Sequence, residues 1–101
     1  MAFKTRGSAG RTVKPGGDIV ASTAGEFRKK LMRLTGRGVK ELTIDLKGVN
    51  TLDAVGLWVL IAAHNSLERS GGMLKIKNPS EGIFRLLTNL KLDQTFEVIA
   101  V

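Results

Sequence analysis

The stretch LTIDLKGVNTLDAVGLWVLI, from Leu42 to Ile61, decides the fold of this chain. It begins with alternating apolar and polar residues up to Leu46, a pattern that predicts a strand buried on one face. A short turn follows, and Asp53 then stands where its carboxylate can cap a helix. The stretch therefore predicts a strand that leads directly into a helix, which is half of a βαβ unit.

The helix in this stretch is predicted to extend from about Ala54 to Ser70, just before Gly71-Gly72. Residues at helical spacing are expected to form its buried stripe, namely Leu57, Leu60, Ile61, His64 and Leu67. His64 is the only histidine and cysteine is absent, so no metal site is expected. We interpret His64 as a packed side chain that forms a hydrogen bond with a neighbour.

Further helices and strands are predicted on both sides of this stretch. Thr23 and Glu26 have the spacing of a capping box, which predicts that a first helix begins near Thr23. Its buried stripe is expected to consist of Phe27, Leu31 and Leu34. Strands are predicted at residues 3–6, 11–14, 39–46, 73–77 and 96–101, and a third helix after Ser80.

The predicted order is β-β-α-β-α-β-α-β in a single domain that spans residues 1–101. Strands separated by helices predict right-handed crossovers, and hence an α/β fold with a largely parallel sheet flanked by helices. The first two strands, joined across Gly7-Ser8-Ala9-Gly10, are predicted to form an antiparallel hairpin that makes the sheet mixed. No membrane-spanning run or signal peptide is recognised, so a soluble cytoplasmic protein is expected.

The net charge of +7 is unevenly distributed along the chain. Residues 1–40 carry ten basic and two acidic residues, whereas residues 41–101 carry six basic and seven acidic residues. Such asymmetry either marks an anionic partner, such as nucleic acid, lipid head groups or an acidic protein face, or is a solvated basic surface. Only Phe3 and Phe27 lie among the bases, which disfavours the stacking surface that single-stranded nucleic acid needs.

Residues 42–99 resemble the STAS domain, the fold shared by bacterial anti-sigma-factor antagonists and the cytoplasmic tails of sulphate transporters. The matching features are a strand ending in Asp-Leu, then Gly-Val, then Asp-x-x-Gly-Leu at the start of the central helix. Gly-Gly, Asn-Pro-Ser and Leu-x-x-x-Phe-x-Val follow at the spacing of the family. The resemblance covers roughly Asp18 to Ile99. Residues 1–17 match weakly, and the usual C-terminal helix of the family is absent or cut away.

The resemblance implies a protein-binding regulatory module that antagonises an anti-sigma factor with a kinase-like fold. In such antagonists the turn before the central helix reads Asp, hydroxyl, hydroxyl, Gly, and the hydroxyl residue before the glycine accepts phosphate. The corresponding residues here are Asp53, Ala54, Val55 and Gly56. Val55 has no oxygen and cannot be phosphorylated, so the charge of a phosphate cannot switch binding off at this position.

The partner-binding surface is expected at the start of the central helix and consists of Asp53, Ala54, Val55, Gly56 and Trp58. The Asp53 carboxylate can cap the helix, contact the partner or do both. Gly56 either permits the close approach of a neighbouring backbone or of the partner, or is a tolerated packing glycine. Trp58, the only tryptophan, is interpreted either as an exposed interface anchor or as a residue packed under the N-terminal hairpin.

Two other functions stay open beside transcription regulation through protein–protein interaction. One is a structural STAS-like subunit of a transporter or signalling assembly, which the missing hydroxyls at Ala54 and Val55 favour. The other is a basic surface that binds nucleic acid or anionic lipid, with nucleic acid disfavoured. No enzyme activity or cofactor is expected, because no nucleophile–base pair, phosphate loop or dinucleotide-binding motif is recognised. Dimer formation is left open.

Overall fold

The computed structural model describes residues 10–99, and these form a four-stranded sheet and three α-helices. The strands are β1 (Gly10–Val13), β2 (Glu41–Asp45), β3 (Met73–Lys77) and β4 (Glu97–Ile99). The helices are α1 (Ala21–Gly36), α2 (Ala54–Arg69) and α3 (Glu81–Asn89), and a short 3-10 helix spans Leu92–Gln94.

All four strands are parallel and lie in the order β1-β2-β3-β4. Each connection steps to the next strand in the same direction, so right-handed crossovers place the three helices on one face of the sheet. This arrangement confirms the predicted α/β fold with a largely parallel sheet. The second predicted strand is β1, which pairs in parallel with β2. The predicted strand at residues 3–6 and the turn at residues 7–9 lie outside the described residues.

The centre of the core lies between the sheet and the helices. Leu42 and Ile44 of β2 pair in register with Leu74 and Ile76 of β3, and none of the four is more than 1% exposed. The helix residues buried against this face include Phe27, Leu31, Val59, Leu60, Ala63, Leu67, Ile83 and Leu87. The alternation that predicted β2 and β3 therefore places their apolar side chains under the helices.

The start of α1 differs from the prediction. α1 begins at Ala21, two residues before Thr23, and Val20 occupies the N-cap position. The Thr23 hydroxyl accepts a hydrogen bond from the Val20 N–H at 3.0 Å and donates one to the Asp18 carbonyl at 2.8 Å. The predicted capping box is wrong, because Thr23 serves as the third helical residue that reaches back to the cap. The predicted stripe is confirmed for Phe27 and Leu31, which are buried.

The buried stripe of α2 is rotated from the predicted one. Leu60 and Leu67 are buried as predicted, but Val59 and Ala63 are buried as well. Three members of the predicted stripe are only partly buried, namely Leu57, Ile61 and His64. The reason is tertiary: α2 packs against both α1 and β3, so its buried side faces two neighbours rather than the sheet alone.

His64 packs as predicted but lacks the predicted hydrogen bond. Its ring lies edge-on to Phe96, with the ring centroids 5.5 Å apart. The Nδ1 atom is buried and has no hydrogen-bond partner within residues 10–99. The Nε2 atom lies 3.9 Å from Glu68 Oε1, which is too long for a hydrogen bond. The contact with Phe96 therefore contributes packing, and the expectation of a bonded neighbour is wrong.

Candidate functional site

The segments that precede α1 and α2 run side by side. Ile19 and Leu52 form an isolated parallel bridge beyond the ends of β1 and β2. The Ile19 N–H donates to the Thr51 carbonyl at 3.0 Å, and the Asp53 N–H donates to the Ile19 carbonyl at 3.3 Å. These bonds bring the N-terminal ends of α1 and α2 together at one corner of the molecule.

Asp53 caps both of these helices. Its Oδ1 accepts from the Gly56 N–H at 2.9 Å in its own helix, and its Oδ2 accepts from the Ala21 N–H at 2.9 Å in α1. The hydrogen bond from Gly56 is the largest effect that holds the pKa of the Asp53 carboxyl below its ordinary value, although partial desolvation opposes it. One carboxylate therefore satisfies backbone donors at the positive ends of two helices.

A second carboxylate, that of Asp18, stabilises the same corner by hydrogen bonds. Its Oδ1 accepts from the backbone N–H groups of Asn50 and Thr51, both at 3.0 Å. Asp18 therefore joins the loop before α1 to the loop before α2. Sequence reasoning missed this residue because its partners lie 32 and 33 positions away. An aspartate just before a predicted helix was the only signal, and that signal indicates a local cap.

Gly56 is buried where α2 meets the segment before α1. A Cβ atom at this position would lie 2.1 Å from the Ile19 carbonyl oxygen, far inside van der Waals contact. Only glycine therefore lets the first turn of α2 approach Ile19 this closely. The neighbouring backbone anticipated at Gly56 is that of Ile19, whereas a contact between Gly56 and a partner stays a prediction.

The exposed side of α2 carries apolar residues at this corner. Ala54 is exposed, Val55 is 45% exposed and Trp58 is 67% exposed. Across from them lies Arg28 of α1. The space between the two helices is a shallow groove of about 270 Å³, here called the α1–α2 groove, lined by Arg28, Val55, Trp58, Val59 and Ala62. The large exposed fraction of Trp58 agrees with the interpretation as an exposed residue.

The five residues predicted for partner binding thus lie together but divide into two groups. Asp53 and Gly56 make contacts within the domain: Asp53 joins the starts of α1 and α2 by hydrogen bonds, and Gly56 packs closely against the segment before α1. Ala54, Val55 and Trp58 present an apolar, hydroxyl-free surface to the outside. Chemically, this surface can bind another molecule by burial of apolar area, but neither Ala54 nor Val55 can accept a phosphoryl group.

Within residues 10–99, no group of three or more acidic or histidine side chains is placed to hold a metal ion. None of the helices described for this chain is long and apolar enough to cross a membrane.

The comparisons with known proteins agree on one family. A family model described as the STAS domain matches residues 2–100. The anti-sigma-B factor antagonist of Bacillus subtilis (strain 168) is 38% identical over 77 residues, and the alignment covers 74% of this chain and 70% of that protein.

Two solved structures are similar to the fold described above. A candidate anti-sigma factor antagonist from Thermotoga maritima has a TM-score of 0.83 at 21% identity, covering 92% of this chain and 80% of its own. The anti-sigma factor antagonist SpoIIAA in its unphosphorylated form has a TM-score of 0.70 at 16% identity, covering 80% of this chain and 74% of its own. At these identities the likeness supports the fold.

Proposed function

This chain belongs to the STAS domain family, and we propose that it is a regulatory protein that binds an anti-sigma factor, the role named for its Bacillus subtilis relative. The observation that carries the proposal is the exposed apolar surface of Val55 and Trp58 at the start of α2. A tryptophan that is 67% exposed beside a valine that is 45% exposed is typical of an interface anchor.

The geometry of the corner supports this surface as a preformed one. Asp53 fixes the start of α2 to the start of α1 through its two carboxylate oxygens. Gly56 brings the same turn against Ile19. Because these contacts are made inside the domain, Val55 and Trp58 need little ordering when a partner docks, which lowers the entropic cost of binding.

The binding experiment uses the purified full chain and each anti-sigma factor encoded in the source genome, with the dissociation constant measured by calorimetry. The proposal expects one of them to bind and to release its sigma factor. Replacing Val55 and Trp58 together by aspartate should abolish binding while the far-UV circular dichroism spectrum stays unchanged. Leu90→Asp is the matched control, since Leu90 is 50% exposed at the C-cap of α3 and should bind normally. A folded double variant that still binds contradicts the proposal.

The finer part of the proposal is that phosphorylation at residue 55 does not regulate this antagonist. Val55 occupies the phosphate-acceptor position implied by the family resemblance, and its side chain has no oxygen. Incubation with ATP and the cognate anti-sigma kinase should leave the wild-type chain unmodified, whereas Val55→Ser should gain one phosphate and lose affinity. Phosphate that the kinase places on the exposed Thr51 of the wild-type chain, with a loss of affinity, would show that phosphorylation at another residue of this turn regulates the antagonist.

A structural STAS subunit of a transporter or signalling assembly is the second candidate. The observation that favours it is the absence of a hydroxyl at both Ala54 and Val55, which suits a surface that is bound permanently. Affinity capture at low and high salt separates the two functions. An anti-sigma factor among the captured proteins supports the antagonist, and components of a transport or signalling assembly that remain bound at high salt support the structural subunit.

A further inference from the structure

The exposed side of α1 carries an uncompensated positive charge. Its basic residues, together with the one at its C-cap, are Arg28, Lys29, Lys30, Arg33 and Arg37. All five are exposed, and α1 contains a single acidic residue, Glu26. Within residues 10–99 none of the five forms an ion pair, since the four pairs there involve other cations. A carboxylate brought by a partner would therefore find a free cation on this helix.

Arg28 differs from the other bases by its position next to the exposed apolar residues of α2. It is the one charged residue among those that line the α1–α2 groove. Lys30 and Arg33 lie on the opposite flank of α1, where they line a second groove of about 450 Å³ together with Phe27 and Glu26. The structure thus separates one arginine beside an apolar groove from bases that face elsewhere on the same helix.

An apolar groove with a guanidinium at its edge fits one particular chemistry. Val55, Val59 and Ala62 offer aliphatic walls, and Trp58 offers a large flat surface that a buried apolar side chain can cover. Once that side chain excludes water, a neighbouring carboxylate of the partner can form a strong bidentate salt bridge with Arg28. The combination selects a partner segment that has a large apolar side chain next to an acidic one.

We propose that the α1–α2 groove binds an acidic protein segment of this kind, with the apolar side chain against Trp58 and a carboxylate on Arg28. The proposal deepens the proposed function and rests on it, because it names the chemistry of the partner surface that docks at Val55 and Trp58. A second copy of this chain does not fit, since a symmetric contact through this face would bring two basic α1 helices together. A phosphate backbone would leave the aliphatic walls of the groove unused.

The first test follows the isotope-labelled full chain by NMR while the synthetic peptide Glu-Glu-Phe-Glu-Glu is added. The expected result is a set of shifted resonances confined to the α1–α2 groove, including the Trp58 indole and the Arg28 amide. Two control peptides, one with glutamine for every glutamate and one with alanine for the phenylalanine, should each give much smaller shifts. Equal shifts from either control, or shifts centred outside the groove, overturn the proposal.

The second test compares two variants of equal charge change on the same helix. Arg28→Glu should weaken peptide binding by at least about tenfold, because it places a carboxylate against a carboxylate in the groove. Arg33→Glu should weaken it by less than about threefold, through the long-range field alone. Both positions are exposed, so melting curves are expected to match the wild type. If the two variants lose peptide affinity equally, the loss comes from the change in net charge and not from the groove, and the proposal is overturned.

Duplex DNA and vesicles that contain phosphatidylserine serve as the competing probes. The proposal expects neither to displace the acidic peptide at physiological salt, because neither fills the apolar groove. Displacement by one of them, accompanied by a shift of the Trp58 indole, contradicts it. The peptide titrations need no anti-sigma factor, so they can succeed when the anti-sigma binding experiment fails. Conversely, an anti-sigma factor that binds wild type and Arg28→Glu equally well refutes this inference alone.

Discussion

At the scale of single residues, Asp53 does more than cap its own helix, because it also binds the start of α1. Its two oxygens accept hydrogen bonds from two distant backbone N–H groups, that of Gly56 three residues along its own helix and that of Ala21, which is 32 residues from Asp53. A side chain of this length reaches both donors only because Ile19 and Leu52 hold the two segments side by side. Asp53 therefore links the exposed surface on α2 to the orientation of α1.

Replacing Asp53 by alanine is predicted to destabilise the protein more than the loss of an ordinary cap. Ser80→Ala is the matched control, since within residues 10–99 the Ser80 hydroxyl accepts a hydrogen bond from one backbone group, the Ile83 N–H at 3.2 Å at the start of α3. We expect Asp53→Ala to lower Tm by roughly 5 to 10 °C and Ser80→Ala by roughly half as much. Calorimetry measures both, and hydrogen exchange should quicken at the Ala21 and Gly56 amides in Asp53→Ala alone. Equal Tm losses and an unchanged Ala21 amide would refute the double cap.

Gly56 gives the second prediction at this scale. Gly56→Ala should destabilise the fold by about 3 kcal/mol, because the new methyl group meets the Ile19 carbonyl, which is backbone and cannot turn aside. Gly25→Ala in α1 is the control, since no other part of the described chain, residues 10–99, lies within 4 Å of a Cβ there, and it should stabilise the fold by about 0.5–1 kcal/mol. Urea unfolding provides both values. A Gly56→Ala protein as stable as the wild type would show that the close approach to Ile19 is not required.

At the scale of helices and strands, the carboxyl edge of the sheet gathers polar groups from separate strands. Asp45, at the end of β2, is 5% exposed, and its Oδ1 accepts from the Asn78 amide and the Lys47 N–H, both at 3.0 Å. Its Oδ2 lies 4.0 Å from Lys14 Nζ, just after β1. The Asn78 bond is the largest of the effects that lower the pKa of the Asp45 carboxyl. Parallel pairing brings these groups together because parallel strands end at the same edge.

The lowered pKa values of two aspartates, Asp45 at this edge and Asp53 at the start of α2, predict how the stability of the fold depends on pH. The folded-state pKa values of Asp45 and Asp53 lie below the ordinary value of 3.8, so the unfolded chain takes up protons first as the pH falls. Their contribution is therefore complete above about pH 5, declines as the pH falls through about 4, and is lost below the folded-state pKa values.

Thermal melts between about pH 6 and pH 3 test this dependence. Asp45→Asn removes one of the two titrating groups, so its Tm should fall less steeply with acid than that of the wild type. Asp93→Asn, at an exposed position of the 3-10 helix, is the control and should follow the wild-type curve. Parallel curves for Asp45→Asn and the wild type would mean that the carboxylate of Asp45 contributes nothing to acid stability.

At the scale of the whole molecule, the topology separates two kinds of surface. The three helices cover one face of the sheet, and the other face carries polar side chains such as Glu41 and Lys75, whose charged atoms lie 3.3 Å apart. The bases of α1, which form no ion pair within residues 10–99, lie on the helical side, and Arg28 among them lies beside the apolar groove. Together with the net charge of +7, these bases should steer an acidic partner toward the proposed docking surface.

Association and dissociation rates should therefore respond to different changes. Raising NaCl from about 50 mM to about 500 mM should slow association with the anti-sigma factor by roughly tenfold or more, while dissociation changes little. Trp58→Ala should instead speed dissociation, because it removes a side chain that the partner would bury and changes no charge. Stopped-flow or surface-plasmon measurements separate the two rates. An association rate that is independent of salt would rule out steering by α1.

The sequence by itself determined the features that depend on near neighbours. The alternation from Leu42 to Leu46 predicts β2, helical spacing predicts α2, and the residue type at position 55 alone excludes phosphate there. Each of these follows from residues within a few positions of one another, where backbone geometry fixes which side chains share a face. The apparent capping box at Thr23 failed because Thr23 is the third helical residue and reaches back to the N-cap at Val20, while the Ala21 N–H in the first turn is satisfied by Asp53, far along the chain.

Only the tertiary structure decided which distant residues meet. Asp53 caps Ala21 as well as its own helix, Asp18 binds the loop before α2, and Arg28 faces Trp58 across a groove. These partners are about 30 residues apart, and no periodicity in the sequence connects them. They meet because the parallel crossovers lay α1 beside α2 with both N-terminal ends at the same corner. The proposed docking surface is therefore a product of chain topology acting on residues that the sequence identifies only one at a time.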